Sequence, residues 1–241
     1  ESLGMELALA VSLADVSGHR LYLRNTAEQP VLLASLPQYT NTTYVIKRLL
    51  DIVGSAFALL IFSPLMLGTA LAIKLDDGGP IFFSQKRIGL HGKPFTMYKF
   101  RSMVTNAEEL KKKLAEENGQ TDRFIFKMKD DPRITKVGRF IRKTSLDEFP
   151  QFFNVLKGDM SLVGPRPALP EEVARYGSLY SARLLVKPGI TGPWQVFGRS
   201  DLSQEQSEYL DVSYIENWSI AGDLAILAKT VLVVFRGTGS Y

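Results

Sequence analysis

The 241-residue sequence contains no cysteine. That excludes disulfides, a thiolate nucleophile and any cysteine-based zinc site. Histidine is nearly as scarce: His19 and His91 lie far apart and show no metal-ligand spacing. General-base chemistry therefore falls to carboxylates, and any metal is expected to be a hard ion on oxygen ligands. Neither sign of charge dominates, with 29 Lys and Arg against 25 Asp and Glu. So small a surplus suits anionic lipid headgroups or phosphate-bearing substrates and gives no support for a nucleic-acid partner. The length fits one domain of ordinary core size or two small ones. The chain opens on Glu1 rather than Met, as expected of a fragment or a processed product.

Charge is missing altogether from Ile52 to Ile73, and Ser63-Pro64 stands near the middle of that stretch. Lys47 and Arg48 precede it and Lys74 follows. A straight helix over these residues would be about 33 Å long, enough to cross a bilayer. Proline inside a helix removes one hydrogen bond and clashes with the preceding turn, at about 3 kcal/mol. Each arm beside it would measure about 16 Å, roughly one leaflet. Basic residues at both ends favour neither orientation of a crossing segment. A segment that dips into one leaflet and returns satisfies both observations. A kinked transmembrane helix and a buried core helix remain as alternatives. A signal peptide does not, because the segment starts too far into the chain.

Residues 1–44 alternate short apolar runs with polar turns and read as two or three strands without a core of their own, the tail of a preceding domain plus linker. Residues 45–75 form the membrane segment. Beyond the turn at Asp76 to Pro80, the runs Ile81 to Phe83 and Phe95 to Phe100 predict a β-hairpin. Ala107 to Asn118 predicts a solvated helix with Glu108 and Glu109 placed to pair with Lys112 and Lys113. In Asp130 to Lys143, Ile134, Val137, Phe140 and Ile141 recur at helical spacing among five basic residues, the most cationic patch of the chain. Asp201 to Tyr214 reads as helix. Ile220 to Phe235 is apolar but carries Asp223 and Lys229, which suits a core helix or one lying on a membrane surface. The fold class expected is α+β, mainly helical, with a membrane-anchored catalytic domain of residues 76–241.

The run Thr144 to Gln151 holds the sharpest local signal, the adjacent carboxylates Asp147 and Glu148. Ser145 and Glu148 have the spacing of a capping box, or Asp147 is itself the N-cap with Pro150 at N3. In either case both carboxylates sit at a helix N-terminus, whose dipole favours the ionised form that a nucleophile needs. A carboxylate attacking phosphorus approaches an anion, so cations must neutralise the phosphoryl oxygens. Arg142 lies just upstream and Arg166 follows in Val163 to Pro167. A second carboxylate beside the nucleophile can hold Mg²⁺. Helix capping alone also accounts for the pair on local pattern.

The residues resemble the bacterial sugar transferases, monotopic polyprenyl-phosphate phosphoglycosyl transferases of long form. The resemblance is carried in order by Lys47 to Asp51, Ser63-Pro64, Pro80 to Gly89, Lys99 to Met103, Asp131 to Gly138 and Thr144 to Gln151. It continues through Asn154 to Pro167, Pro188 to Gln195, Gly198-Arg199 and Asn217 to Ser219. It covers residues 45–241.

The resemblance implies that Asp147 is the nucleophile, forming a phosphosugar–enzyme intermediate and releasing UMP, while Glu148 binds Mg²⁺ with Asp147 or orients it. Lys99, Arg101, Arg142, Arg166, Arg199 and Gln195 would bind substrate. Arg101 and Arg142 could instead be ion-pair partners behind the site, and Gly164 and Pro165 turn formers. Ser63-Pro64 would break a re-entrant membrane helix, and residues 1–44 would end a Rossmann-like domain. The implied substrates are a UDP-sugar, glucose or galactose before an N-acetylhexosamine, and undecaprenyl phosphate. The implied setting is the cytoplasmic face of the bacterial inner membrane, in contact with membrane lipids, at the first membrane step of exopolysaccharide, capsule or O-antigen synthesis. The apolar C-terminal helix and the N-terminal strands could pair subunits as a homodimer. A non-catalytic, membrane-anchored assembly factor is the competing class, though it has no need of the dyad and its cations together.

Overall fold

The computed structural model describes residues 21–25, 30–34, 41–107, 109–110, 131–174, 180–198 and 202–236. The chain divides into two units, Glu1–Thr40 and Asn41–Tyr241. In the first, β1 (Leu21–Asn25) and β2 (Pro30–Ala34) pair antiparallel, within the strands expected there. The second holds everything that follows.

The uncharged segment forms the centre of α1 (Asn41–Asp77), with Pro64 inside it. The expected break at Ser63-Pro64 does not interrupt the helix. Pro64 offers no N–H to the Leu60 carbonyl, and the Ser63 hydroxyl donates to that carbonyl at 2.9 Å instead. The helix is long and apolar enough to cross a membrane, and 17% of its most apolar window is buried. A soluble core helix would be mostly buried. Here Phe57, Leu60 and Leu67 lie more than half exposed.

Charges flanking the apolar segment serve as clamps. The Lys47 Nζ donates to the Asp223 carboxylate at 2.6 Å and to the Val163 carbonyl at 3.0 Å. Arg48 donates to the Val155 and Leu156 carbonyls at 2.6 and 2.7 Å, covering the negative end of α3 (Gln151–Lys157). Asp51, buried, accepts from the Ser161 hydroxyl and the Leu162 N–H at 2.9 and 2.8 Å. At the other end, Asp77 pairs with the Arg101 guanidinium, whose Nε also donates to the Pro80 carbonyl at 2.6 Å. Both ends of α1 are thus fastened to one body.

The expected hairpin is present: β3 (Phe82–Ile88) pairs antiparallel with β4 (Pro94–Phe100). Asn154, fully buried, fixes β4 against α3 by accepting from the Tyr98 N–H and donating to the Thr96 carbonyl. The predicted helix over 107–118 falls mainly outside the described residues. The basic stretch folds as α2 (Lys136–Lys143), shorter than the periodicity suggests, because the Thr135 side chain caps it by accepting from the Gly138 N–H. Arg133 drops out of the cationic surface; it is buried and bonded to Asp131. Glycine at 138 is required by packing, since a Cβ there would lie 1.9 Å from the Ser102 carbonyl oxygen.

A parallel pair, β5 (Ser161–Val163) with β6 (Gly189–Thr191), was not anticipated. Three-residue strands are too short to show a period of two. Among the described residues the remaining α-helices are α4 (Pro170–Val173), α5 (Pro193–Phe197), α6 (Gln204–Glu216) and α7 (Ile220–Arg236). Helix α7 places Ile226 in a core cluster with Val163 and Val196, as a core helix should, while Leu224, Val231 and Leu232 stay exposed. A second cluster joins Ile73 of α1 to Phe100, Ile141 and Leu146, so α1 and the dyad turn share one core.

Candidate active site

Three elements deliver the site. On β3, the period of two puts Phe83, Gln85 and Arg87 on one face, and Lys99 of β4 lies opposite Phe83 on that same face. Helix α2 brings Arg142 in its last turn. The turn after α2 brings Asp147 and Glu148. Together with Arg101 and Ser145 these residues line a cavity of about 540 Å³.

The dyad turn differs from both capping expectations. Leu146–Glu148 is a single 3₁₀ turn, Ser145 sits in the left-handed region at φ 58° and makes no cap, and α3 starts later with Pro150 at its N-cap. Burial of Leu146 in the core, rather than a capping hydrogen bond, fixes the turn and presents both carboxylates to the cavity. Glu148 accepts from the Lys99 ammonium at 2.7 Å.

Electrostatics also depart from the helix-dipole argument. Burial and the neighbouring Glu148 charge push the Asp147 carboxyl up to about 6, against the opposing pull of Lys99 and Arg142. A one-turn 3₁₀ element has little dipole to set against desolvation. A carboxylate so poised gains charge near neutrality, and an entering cation raises its ionised fraction further.

Of the other expected binding residues, Arg101 lines the cavity but is engaged with Asp77 and Pro80. Arg166 lies outside the cavity lining, its guanidinium 5.3 Å from the Trp194 ring centroid and its carbonyl accepting from Arg183. Gln195 lines a neighbouring recess together with Ser145 and Glu148. Arg199 lies outside the described residues. Arg87 went unnamed in the sequence reading, although it stands within Pro80 to Gly89. It is buried at the cavity, donates to the Pro167 carbonyl and to Gln85, and its Nε makes no hydrogen bond. Burial, with the Arg166 cation nearby, pushes its guanidinium down to about 10. A basic residue two positions from a polar partner on a predicted strand was the available signal.

Among the described residues no cluster of three or more His, Asp and Glu could hold a metal by itself. Two adjacent carboxylates do fit Mg²⁺, which commonly takes one or two carboxylates and completes its shell with substrate phosphates and water.

The cavity thus gathers a carboxylate pair with the cations of Lys99, Arg142 and Arg87, a set able to handle an anionic substrate. The profile of the family described as bacterial sugar transferase matches residues 42–237. The chain belongs to that family. It is 48% identical over 211 residues to a galactosyl transferase, CpsE, of Streptococcus agalactiae, covering 87% of this chain and 46% of the relative. It is 51% identical over 202 residues to the undecaprenyl-phosphate galactose phosphotransferase of Salmonella typhimurium, covering 81% and 42%. It is 43% identical over 206 residues to the UDP-glucose:undecaprenyl-phosphate glucose-1-phosphate transferase of Klebsiella pneumoniae, covering 82% and 42%. The chain thus spans less than half the length of these relatives.

Proposed function

We propose that the chain transfers hexose-1-phosphate from a UDP-sugar to undecaprenyl phosphate by way of a covalent intermediate on Asp147. The observation that carries this reading is the convergence of Asp147 and Glu148 with Lys99, Arg142 and Arg87 around one cavity. An Asp147 carboxylate oxygen attacks the sugar-bearing phosphorus, and the bond from that phosphorus to the bridging oxygen breaks, releasing UMP. An oxygen of the acceptor phosphate then attacks the same phosphorus and the aspartyl bond breaks, giving the lipid-linked diphosphosugar and restoring the carboxylate. Lys99 holds Glu148 in place, and Arg142 and Arg87 bring positive charge to the oxygens of the transferring group. Asp147 and Glu148 would hold Mg²⁺, which supplies neutralisation of the diphosphate charge when bound.

Helix α1 is the membrane element of this reading. A helix standing across the bilayer would carry one end about 30 Å from the body. Lys47 and Asp77 instead hold both ends to it, and the Phe62 ring near the middle packs 4.9 Å from Phe149. That favours α1 embedded in a single leaflet, with the site at the cytoplasmic face of the bacterial inner membrane. The names of the relatives favour galactose or glucose as the sugar, ahead of an N-acetylhexosamine. The transfer would begin assembly of an exopolysaccharide, capsule or O-antigen unit.

The test is incubation with UDP-galactose or UDP-glucose and Mg²⁺ and no acceptor. UMP release and a mass increase equal to a hexose phosphate are expected. Asp147→Asn should give neither, and near-normal release from that variant overturns the assignment.

A further inference from the structure

Beside the cavity lies a separate recess of about 140 Å³, shaped by α3, β6, α5 and α7. Ser145 and Glu148 line both spaces, so the recess opens from the dyad itself. Its walls are Phe149, Phe152, Ile190, Val196, Val233 and Val234. Ser145, Gln195, Thr191 and Thr230 complete the lining beside Glu148; the threonine hydroxyls bond to each other, Thr191 Oγ1 to Thr230 Oγ1 at 2.7 Å, and Thr230 also reaches the Ile226 carbonyl. Most of the lining is apolar, so a nucleotide or sugar ring would lose its water there for few compensating hydrogen bonds. A hydrocarbon would not.

On this geometry, and resting on the covalent transfer proposed above, we infer that the recess receives the phosphate-proximal isoprenoid unit of the lipid acceptor. Size agrees: an apolar cavity of roughly 150 Å³ takes up benzene, and an isoprenoid unit has one carbon fewer. Direction agrees as well. Glu148 stands at the polar end, where an acceptor phosphate must meet the phosphorus held on Asp147. Phe149 forms a wall of the recess and packs on Phe62, the residue before Ser63-Pro64 in α1. Phe152 continues the ring contacts at 5.8 Å from Phe149. A lipid seated with its phosphate at the dyad and its first unit in the recess is therefore one aromatic layer from the apolar surface of α1, where the rest of its tail belongs.

The recess accounts for acceptor choice separately from donor choice. A pocket that accepts a prenyl unit discriminates against acceptors lacking it by about tenfold or more. Filling it should injure the second half-reaction and spare the first.

The test uses Val233→Phe, which narrows the recess from α7 and alters no residue of the dyad or its cations. UMP release from UDP-sugar without acceptor should stay within about twofold of the unaltered chain, while kcat/KM for undecaprenyl phosphate falls by about tenfold. The preference for geranyl phosphate over methyl phosphate should fall with it. Unchanged acceptor kinetics would overturn the inference, as would loss of UMP release in a variant that melts normally, since the recess would then serve the donor. An unaltered chain that releases no UMP would instead overturn the covalent-transfer reading. Photolabelling that chain with a benzophenone-tagged geranyl phosphate keeps the recess testable in every case. Label is expected on peptides holding Phe149 and Phe152 or Thr230 to Val234, displaced by undecaprenyl phosphate and not by phospholipid. Label elsewhere, or displacement by phospholipid, overturns the assignment.

Discussion

Ser63 donates its hydroxyl to the Leu60 carbonyl at 2.9 Å, the acceptor that the ring of Pro64 leaves without an N–H. The pair is self-contained: proline opens the hydrogen bond and the residue before it closes it. In lipid an unanswered carbonyl is expensive, which is why the closure matters there more than in water. Ser63→Ala should lower stability by about 1 kcal/mol. In a Pro64→Ala background, where the backbone bond returns, the same change should be nearly neutral. Equal losses in the two backgrounds, measured by thermal unfolding in one detergent, would refute the coupling.

The raised Asp147 pKa gives opposite signs for activity and stability. On the proposed covalent transfer Asp147 attacks in its ionised form, so UMP release should rise with pH through about 6. The folded chain binds that proton more tightly than the unfolded chain, whose carboxyl has the ordinary value of 3.8. The stabilising contribution is present below that value and is lost as pH rises through about 6. Asp147→Asn, neutral throughout, should match the unaltered chain near pH 4 and exceed it at pH 7 by on the order of 1 kcal/mol. A stability gap that does not change with pH would contradict the burial argument.

Arg87 is expected to bear on turnover more than its burial suggests. Arg87→Met should lower kcat for UMP release by about 100-fold, as for loss of a donor aimed at developing charge. Arg87→Lys should recover part of it, because charge returns without the fork to Gln85 and Pro167. If Arg87→Met melts as the unaltered chain does and keeps full activity, the residue is only a brace between β3 and Pro167.

Asp223 gathers three donors, Lys47 at 2.6 Å, Tyr214 at 2.8 Å and Trp218 at 3.0 Å. Asp223→Leu leaves the Lys47 ammonium facing an apolar neighbour and should destabilise by about 3 kcal/mol. Adding Lys47→Met should recover most of that loss. A double variant as unstable as the single one would show that α1 is held by other contacts.

Local pattern reached a good part of this. An uncharged stretch predicted an apolar helix, though one broken at Ser63-Pro64 where the helix in fact continues, and two apolar runs around a turn predicted the β3–β4 hairpin. The carboxylates at 147 and 148 and the basic residue at 142 were visible as residue types that phosphate chemistry needs, whereas Lys99 entered only through the family resemblance. The capping geometry expected around Ser145 was not realised, since Leu146 buries in a core shared with Ile73 and Phe100, residues remote in sequence.

The sequence by itself determined which chemistry was available: oxygen ligands and carboxylate nucleophiles, with no thiol and no histidine pair, beside a segment too apolar to be solvated. Those are properties of side chains and of their nearest neighbours. Only the tertiary structure decided that Lys47 and Asp51 are clamps, and that Asp147 holds its proton to about 6. It also decided that Arg87 shares a wall with the dyad and that an apolar recess opens beside Glu148. Burial, and contact between residues about 50 to 180 positions apart, exist only once the chain has closed on itself, and those set the energies at this site.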